Sequence, residues 1–156
     1  MTNKISLHPA RCCSLLLTVV LALLSACENK WPRNGYLDGQ WQLLSIEHDG
    51  IVTDVKDKQL YLSFQLELFQ LNPVGNQNRY YGYFDRTGDQ IVFRQFSHIA
   101  ERDIKTDDNL PIPPEEQYLL RQWGYYSPYE TFHIESLDAG NMVLRSDSAR
   151  IVYRKF

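Results

Sequence analysis

From residue 39 onward apolar and polar side chains alternate, the spacing that sends successive residues to opposite faces of a β-strand. Residues 40–48 form the first such stretch and end on the turn pair Asp49-Gly50, with 51–55 as a short return strand. Over residues 59–71, Leu60, Leu62, Phe64, Leu66 and Leu68 share one face, and Ser63, Gln65 and Glu67 the other. The apolar phase inverts at Leu68-Phe69, which predicts a bulge or bend within one long strand. After a loop over 72–78, residues 79–85 and 90–96 predict a hairpin around Arg86-Thr87-Gly88-Asp89. Residues 130–137, 141–146 and 149–155 complete the set, the first two joined by Asp138-Ala139-Gly140. Seven or eight short antiparallel strands predict an all-β barrel, with a β-sandwich as the alternative.

One stretch breaks the alternation. Residues 97–129 lie between two hairpins as a 33-residue insertion, and within them PPEEQYLLRQWG reads as a short helix. Pro114 suits a first turn, Glu115 and Glu116 complement the positive end, and Gly124 provides a stop. Leu119 and Trp123 share one face at helical spacing, so the helix should lie against something apolar. A connection of this length in a compact β domain is usually functional or mobile.

The first 26 residues have a different character. Lys4 and Arg11 precede an apolar run over 15–24 that is too short for a spanning helix. The run ends in Leu24-Ser25-Ala26-Cys27, which resembles the lipobox of bacterial lipoproteins. That resemblance implies removal of residues 1–26 as a signal and acylation of Cys27 as the first mature residue. The expected organisation is a signal over 1–26, a lipidated tether over 27–38 and a barrel domain over 39–156. Cys12 and Cys13 leave with the signal, so the mature domain holds no disulfide and no thiol nucleophile. The mature chain carries 14 basic against 19 acidic residues, which argues against nucleic acid as a partner. The membrane is expected to be held through the lipid instead.

No catalytic constellation stands out. His48, His98 and His133 are scattered and lack metal-ligand spacing. His133 and Glu135 fall on the same strand face, as half of an acid–base pair would, but a solvated face explains them as simply. Asp103, Asp107, Asp108 and Asn109 are oxygen-rich without the spacing of a calcium loop. The expectation is therefore no enzyme, no metal and no cofactor. The surplus is aromatic: ten Tyr, seven Phe and three Trp, all beyond residue 26. Tyr80, Tyr81 and Tyr83 come from one strand, and Tyr118, Trp123, Tyr125, Tyr126 and Tyr129 from the insertion. Such a set suits either an aromatic-lined pocket or an ordinary packed core.

The Gly39-Gln40-Trp41 opening of the first strand resembles the start of lipocalin-like barrels. Together with the lipobox, LDGQWQLLSI and the closing FHIESLDAGNMVLRSDSARIVYRKF, the chain is similar to small lipocalin-like lipoproteins of Gram-negative bacteria. The resemblance implies that Trp41 plugs one barrel end, with a basic residue of the last strand packed over it, Arg154 first and Arg150 second. It also implies a cell-envelope location, expected at the outer membrane. If the interior is open to a small apolar or amphipathic ligand, Phe64, Tyr81, Tyr83, Phe93, Leu119, Trp123 and Phe132 are the residues expected to line it. The other expectation is a structural or interaction subunit of an envelope assembly, with a filled barrel and a protein or glycan partner.

Overall fold

A computed structural model describes residues 33–75, 78–99 and 111–156. The strands are β1 Gly39–His48, β2 Ile51–Asp54, β3 Leu60–Gln65, β4 Leu68–Pro73, β5 Tyr80–Thr87, β6 Gln90–His98, β7 Glu130–Leu137, β8 Asn141–Arg145 and β9 Arg150–Lys155. Each of β3 to β8 pairs antiparallel with the next, and β1 pairs with both β3 and β9. The β1–β9 pairing closes eight strands into a barrel, which sets the sandwich aside. β2 is a ninth strand, added to the upper half of β1 from Ser45 to His48.

The alternation seen in the sequence is the inside–outside alternation of this wall. Trp41, Leu43, Leu62, Phe64, Phe69, Leu71, Ile91, Phe93, Phe132, Leu144, Ile151 and Tyr153 all point inward and are buried. Gly82 faces inward as well, because a Cβ there would stand 2.7 Å from the Phe69 ring and from the Arg94 carbonyl oxygen. Register shifts fall beside Gly82, between Leu43 and Ser45 and between Ile134 and Ser136, the positions where the wall bends to close.

Two expectations need correction. The stretch over 59–71 is not one bent strand but the hairpin β3–β4, with Gln65 opposite Leu68 across the two-residue turn Leu66-Glu67. The inversion of phase is the chain reversing. The turn carries no Gly, Asn or Pro; Leu66 itself takes the left-handed region with φ 58°. The segment expected to be tether over 27–38 also joins the fold before residue 39. Gly35–Leu37 make a 3₁₀ turn whose Leu37 is fully buried. Residues 27–32 lie outside the described residues, as do the signal and the acidic positions Asp103, Asp107, Asp108 and Asn109.

The helix of the insertion is present over Pro114–Trp123, in 3₁₀ rather than α geometry. Three residues per turn put Leu120 and Trp123 together on the buried side, where an α-helix would have paired Leu119 with Trp123. Leu119 is only partly buried.

Candidate functional site: two plugged ends

The strands define two ends. One holds the start of β1, the turns at 66–67, 88–89 and 138–140 and the end of β9; the other holds the insertion and the turn at 146–149.

The first end is closed by Trp41. Its indole is fully buried, and its Nε1–H donates to the Leu37 carbonyl at 2.8 Å. The cation over the ring is Lys155, with Nζ 4.1 Å from the centroid, and not Arg154 or Arg150. Strand phase explains the difference. Inward positions on β9 are Ile151, Tyr153 and Lys155, so Arg154 points outward, where its Nε donates to Gln42 Oε1 at 2.8 Å. Arg150 donates to Glu135 at 2.7 Å. Lys155 also donates to the Tyr36 carbonyl at 2.9 Å and to that of Asp38. Burial pulls its ammonium below the usual lysine range, and Asp38 offsets part of that.

The second end is closed by the insertion. Leu120, Trp123 and Tyr125 are almost wholly removed from solvent. The Tyr125 ring sits edge-on to Phe93 at 5.0 Å, Phe96 at 5.3 Å and Phe132 at 5.5 Å. Phe93 in turn touches Phe64 at 5.9 Å and Phe69 at 5.0 Å. One aromatic stack thus runs from the insertion to the middle of the barrel. The chain turns into it at Gly124, whose φ of 85° is left-handed and whose missing Cβ would stand 2.7 Å from Ile151 Cδ1.

Several polar ties hold this plug. Glu130 is buried, and its Oε2 accepts from the Tyr126 and Ser127 amides at 2.7 and 3.2 Å. Its Oε1 accepts from the Ser146 hydroxyl at 2.5 Å, which ties the insertion to the β8–β9 turn. The His48 ring stacks on Tyr126 at 3.9 Å and its Nδ1 lies 2.6 Å from the Ser148 carbonyl. At the other edge His98 Nε2 is 2.7 Å from Glu116 Oε2, and the Ile112 amide donates to the Phe96 carbonyl at 2.8 Å.

Three polar atoms inside are treated differently. Trp123 Nε1 and the hydroxyls of Tyr125 and Tyr153 are buried without a well-formed hydrogen bond among the described residues. Burial drives both phenols well above the usual tyrosine range. The two hydroxyls are neighbours: Tyr153 adds to the rise at Tyr125, and Tyr125 takes back part of the rise at Tyr153.

Of the residues expected to line a pocket, Phe64, Phe93, Trp123 and Phe132 meet inside the barrel as packed core. Tyr81 and Tyr83 do not join them, because β5 turns Tyr80, Gly82 and Phe84 inward and these two outward. Tyr81 borders a hollow of about 280 Å³ on the outer wall with Ser63, Gln65, Leu68 and Gln70. A second hollow, of about 110 Å³, lies outside β6 between Gln95, Ile112, Gln117 and Tyr129. His133 and Glu135 do not pair: His133 faces Asp89 at 3.2 Å, and Glu135 takes Arg145 and Arg150, which hold its carboxyl below the usual range. The residues missed from sequence are Glu130, Leu120 and Lys155. Strand phase could have found Lys155; the others depend on how the insertion folds back.

The architecture has counterparts among solved structures. A lipocalin-like protein from Bacteroides uniformis superposes with a TM-score of 0.55 at 20% identity, over 78% of this chain and 100% of that one. An uncharacterized protein from Bacteroides eggerthii gives 0.53 at 22% identity, over 77% and 99%. At these identities the likeness speaks to the fold alone. No curated protein matches. The model of the lipocalin-like domain family matches residues 22–156. That is most of the chain, eight-stranded barrel and insertion together, and the protein belongs to the lipocalin-like domain family.

Proposed function

We propose that this protein is a lipid-anchored subunit of the bacterial cell envelope that works through its exterior, with a protein or glycan partner. A lipocalin-like barrel is compatible with small-molecule binding, so the contents of the barrel decide the matter. The observation that carries the proposal is that the inward positions are taken up by aromatic side chains in mutual contact. Trp41 fills one end, Trp123 and Tyr125 the other, and Phe64, Phe69, Phe93 and Phe132 the space between. A barrel of eight strands has room either for side chains or for one small ligand. The exposed aromatics Tyr118 and Tyr129 on the insertion are the surface we assign to the partner. Anchoring rests on Cys27 and its lipobox; Cys27→Ala should abolish acylation and processing. Mature-sized, membrane-bound protein in that variant removes the anchor from the account.

A second reading keeps a specific observation on its side. Trp123 Nε1 and the Tyr125 and Tyr153 hydroxyls are polar handles inside an apolar body, the composition of a site for an amphipathic molecule. The two readings separate in amide exchange over residues 112–129, measured with and without fatty acids, sterols and aromatic amphiphiles. An exterior-acting protein shows slow exchange that no ligand alters. Exchange that is fast in the empty protein and slows with one ligand class makes the insertion a lid and the barrel a binding site.

A further inference from the structure

We infer that the Trp41 end of the barrel is seated on the surface of the bilayer, with Tyr36, Leu66, Leu68 and Tyr83 in the lipid interface. The inference rests on the anchored reading above and adds an orientation and a contact surface to it. Four large apolar or aromatic side chains are exposed together at this end. Tyr36 is 62% exposed, Leu66 54%, Leu68 41% and Tyr83 40%. Strand pairing and one hydrogen bond place them near one another. Leu68 and Tyr83 are cross-strand partners on the outer face of β4 and β5. Leu66 lies in the turn just before Leu68, and its carbonyl accepts from the Asn34 side chain at 2.8 Å, two residues from Tyr36. Arg86 closes the circle, donating to the Asn34 carbonyl at 3.2 Å.

The occupant follows from the chain. Residue 33 enters the barrel at this patch, and only five residues separate it from Cys27, a span of about 20 Å at most over the six steps. A lipid on Cys27 therefore holds this end, and not the insertion end, close to the headgroups. β1, with ten residues, is about 34 Å long. A cluster of exposed apolar groups held that close to a bilayer is where Tyr and Leu transfer favourably into the interface. Charge does not oppose it. The charges there are mixed and largely paired: Arg33 meets Glu67 at 3.1 Å, Asp85 meets Arg94, Asp89 meets His133, Asp138 accepts from backbone amides, and Arg86 and Lys155 are held by backbone carbonyls. Asp38 accepts from Asn34 at 2.6 Å. The insertion, with Tyr118 and Tyr129, then faces the aqueous side, where a partner reaches it.

The test uses the acylated full-length protein in vesicles of phosphatidylethanolamine and phosphatidylglycerol. A single environment-sensitive fluorophore is placed by Leu66→Cys, independently by Tyr36→Cys, and at the far end by Tyr129→Cys. Lipids with a nitroxide on the acyl chain serve as quencher, and mass spectrometry of each preparation reads acylation of Cys27. The expected result is blue-shifted emission and several-fold quenching at positions 36 and 66, with emission at 129 unchanged from the aqueous protein. Aqueous emission at 36 and 66 on an acylated protein overturns the orientation and leaves the anchor standing. Equal quenching at all three positions overturns it too, since no end is then preferred. An unacylated Cys27 removes both the anchor and the orientation.

Discussion

Both barrel ends are closed by a tryptophan, and they differ in what the indole N–H meets. Trp41 donates to the Leu37 carbonyl and carries the Lys155 ammonium on its face. Trp123 is as deeply buried, yet its Nε1 meets no hydrogen-bond partner among the described residues, and the Tyr125 hydroxyl has only that of Tyr153 beside it. The first end is a fully satisfied cap built from residues within a few positions of each other and the last strand. The second is assembled from a long insertion held by Glu130, His48 and His98. An unsatisfied buried polar group costs about 1–3 kcal/mol. Among the described residues it is the insertion end that carries that cost.

The largest effect expected is loss of either plug. Trp41→Ala and Trp123→Ala should each cost about 3–5 kcal/mol, read by chemical denaturation. The sharper contrast is with Phe. Trp41→Phe strands a buried carbonyl at Leu37 and should cost more than Trp123→Phe, which strands no partner among the described residues. Equal losses would mean the two ends are not distinguished by their polar atoms. Next in size is Glu130→Ala, which leaves the Tyr126 and Ser127 amides without their acceptor and costs the Ser146 hydroxyl its shortest bond. About 2–3 kcal/mol is expected, with faster amide exchange concentrated in residues 112–129 and little change in β1 to β5.

The buried phenols make a smaller, pH-dependent prediction. Both have raised values in the folded protein, so their contribution is fully present below the ordinary tyrosine value of 10.0 and is lost as pH rises above it. Above that value each such phenol should cost about 1.4 kcal/mol per pH unit until the folded form also ionises. Thermal melts from pH 8 upward check this. Tyr153→Phe should blunt the alkaline loss and cost little at pH 7, because the hydroxyl it removes has only the Tyr125 hydroxyl beside it among the described residues. The smallest effect is at Glu135, whose carboxyl is lowered by Arg145 first and Arg150 second. Its contribution is present above the ordinary carboxylate value of 4.5 and fades as pH falls below it. Glu135→Gln should therefore cost a few tenths of a kcal/mol at pH 7, and nothing in acid.

Most of the wall was legible because a half-buried strand writes its two faces into the sequence. The hairpins over 40–54 and 80–98 and the three closing strands fall within two residues of where alternation puts them. Residues 59–71 predict one strand because Leu66-Glu67 contains none of the residues that normally mark a turn. Leu66 adopts a left-handed backbone that only the hairpin register imposes. Arg154 was placed over Trp41 by resemblance, although counting in twos from Tyr153 gives Lys155. Tyr81 and Tyr83 were placed inside because aromatics suggest a core, whereas Gly82 is the inward residue of that trio. The insertion was least legible. Its helix follows a period of three, so the buried pair is Leu120 and Trp123, and the Glu130 clamp depends on contacts no local pattern encodes.

The central claim is that side chains, and not a ligand, occupy the barrel. Native mass spectrometry of the mature protein purified from the envelope tests it most directly. The account predicts the mass of residues 27–156 plus the acyl groups on Cys27, with nothing further retained. A further small molecule, retained at constant stoichiometry and released only on unfolding, would contradict it.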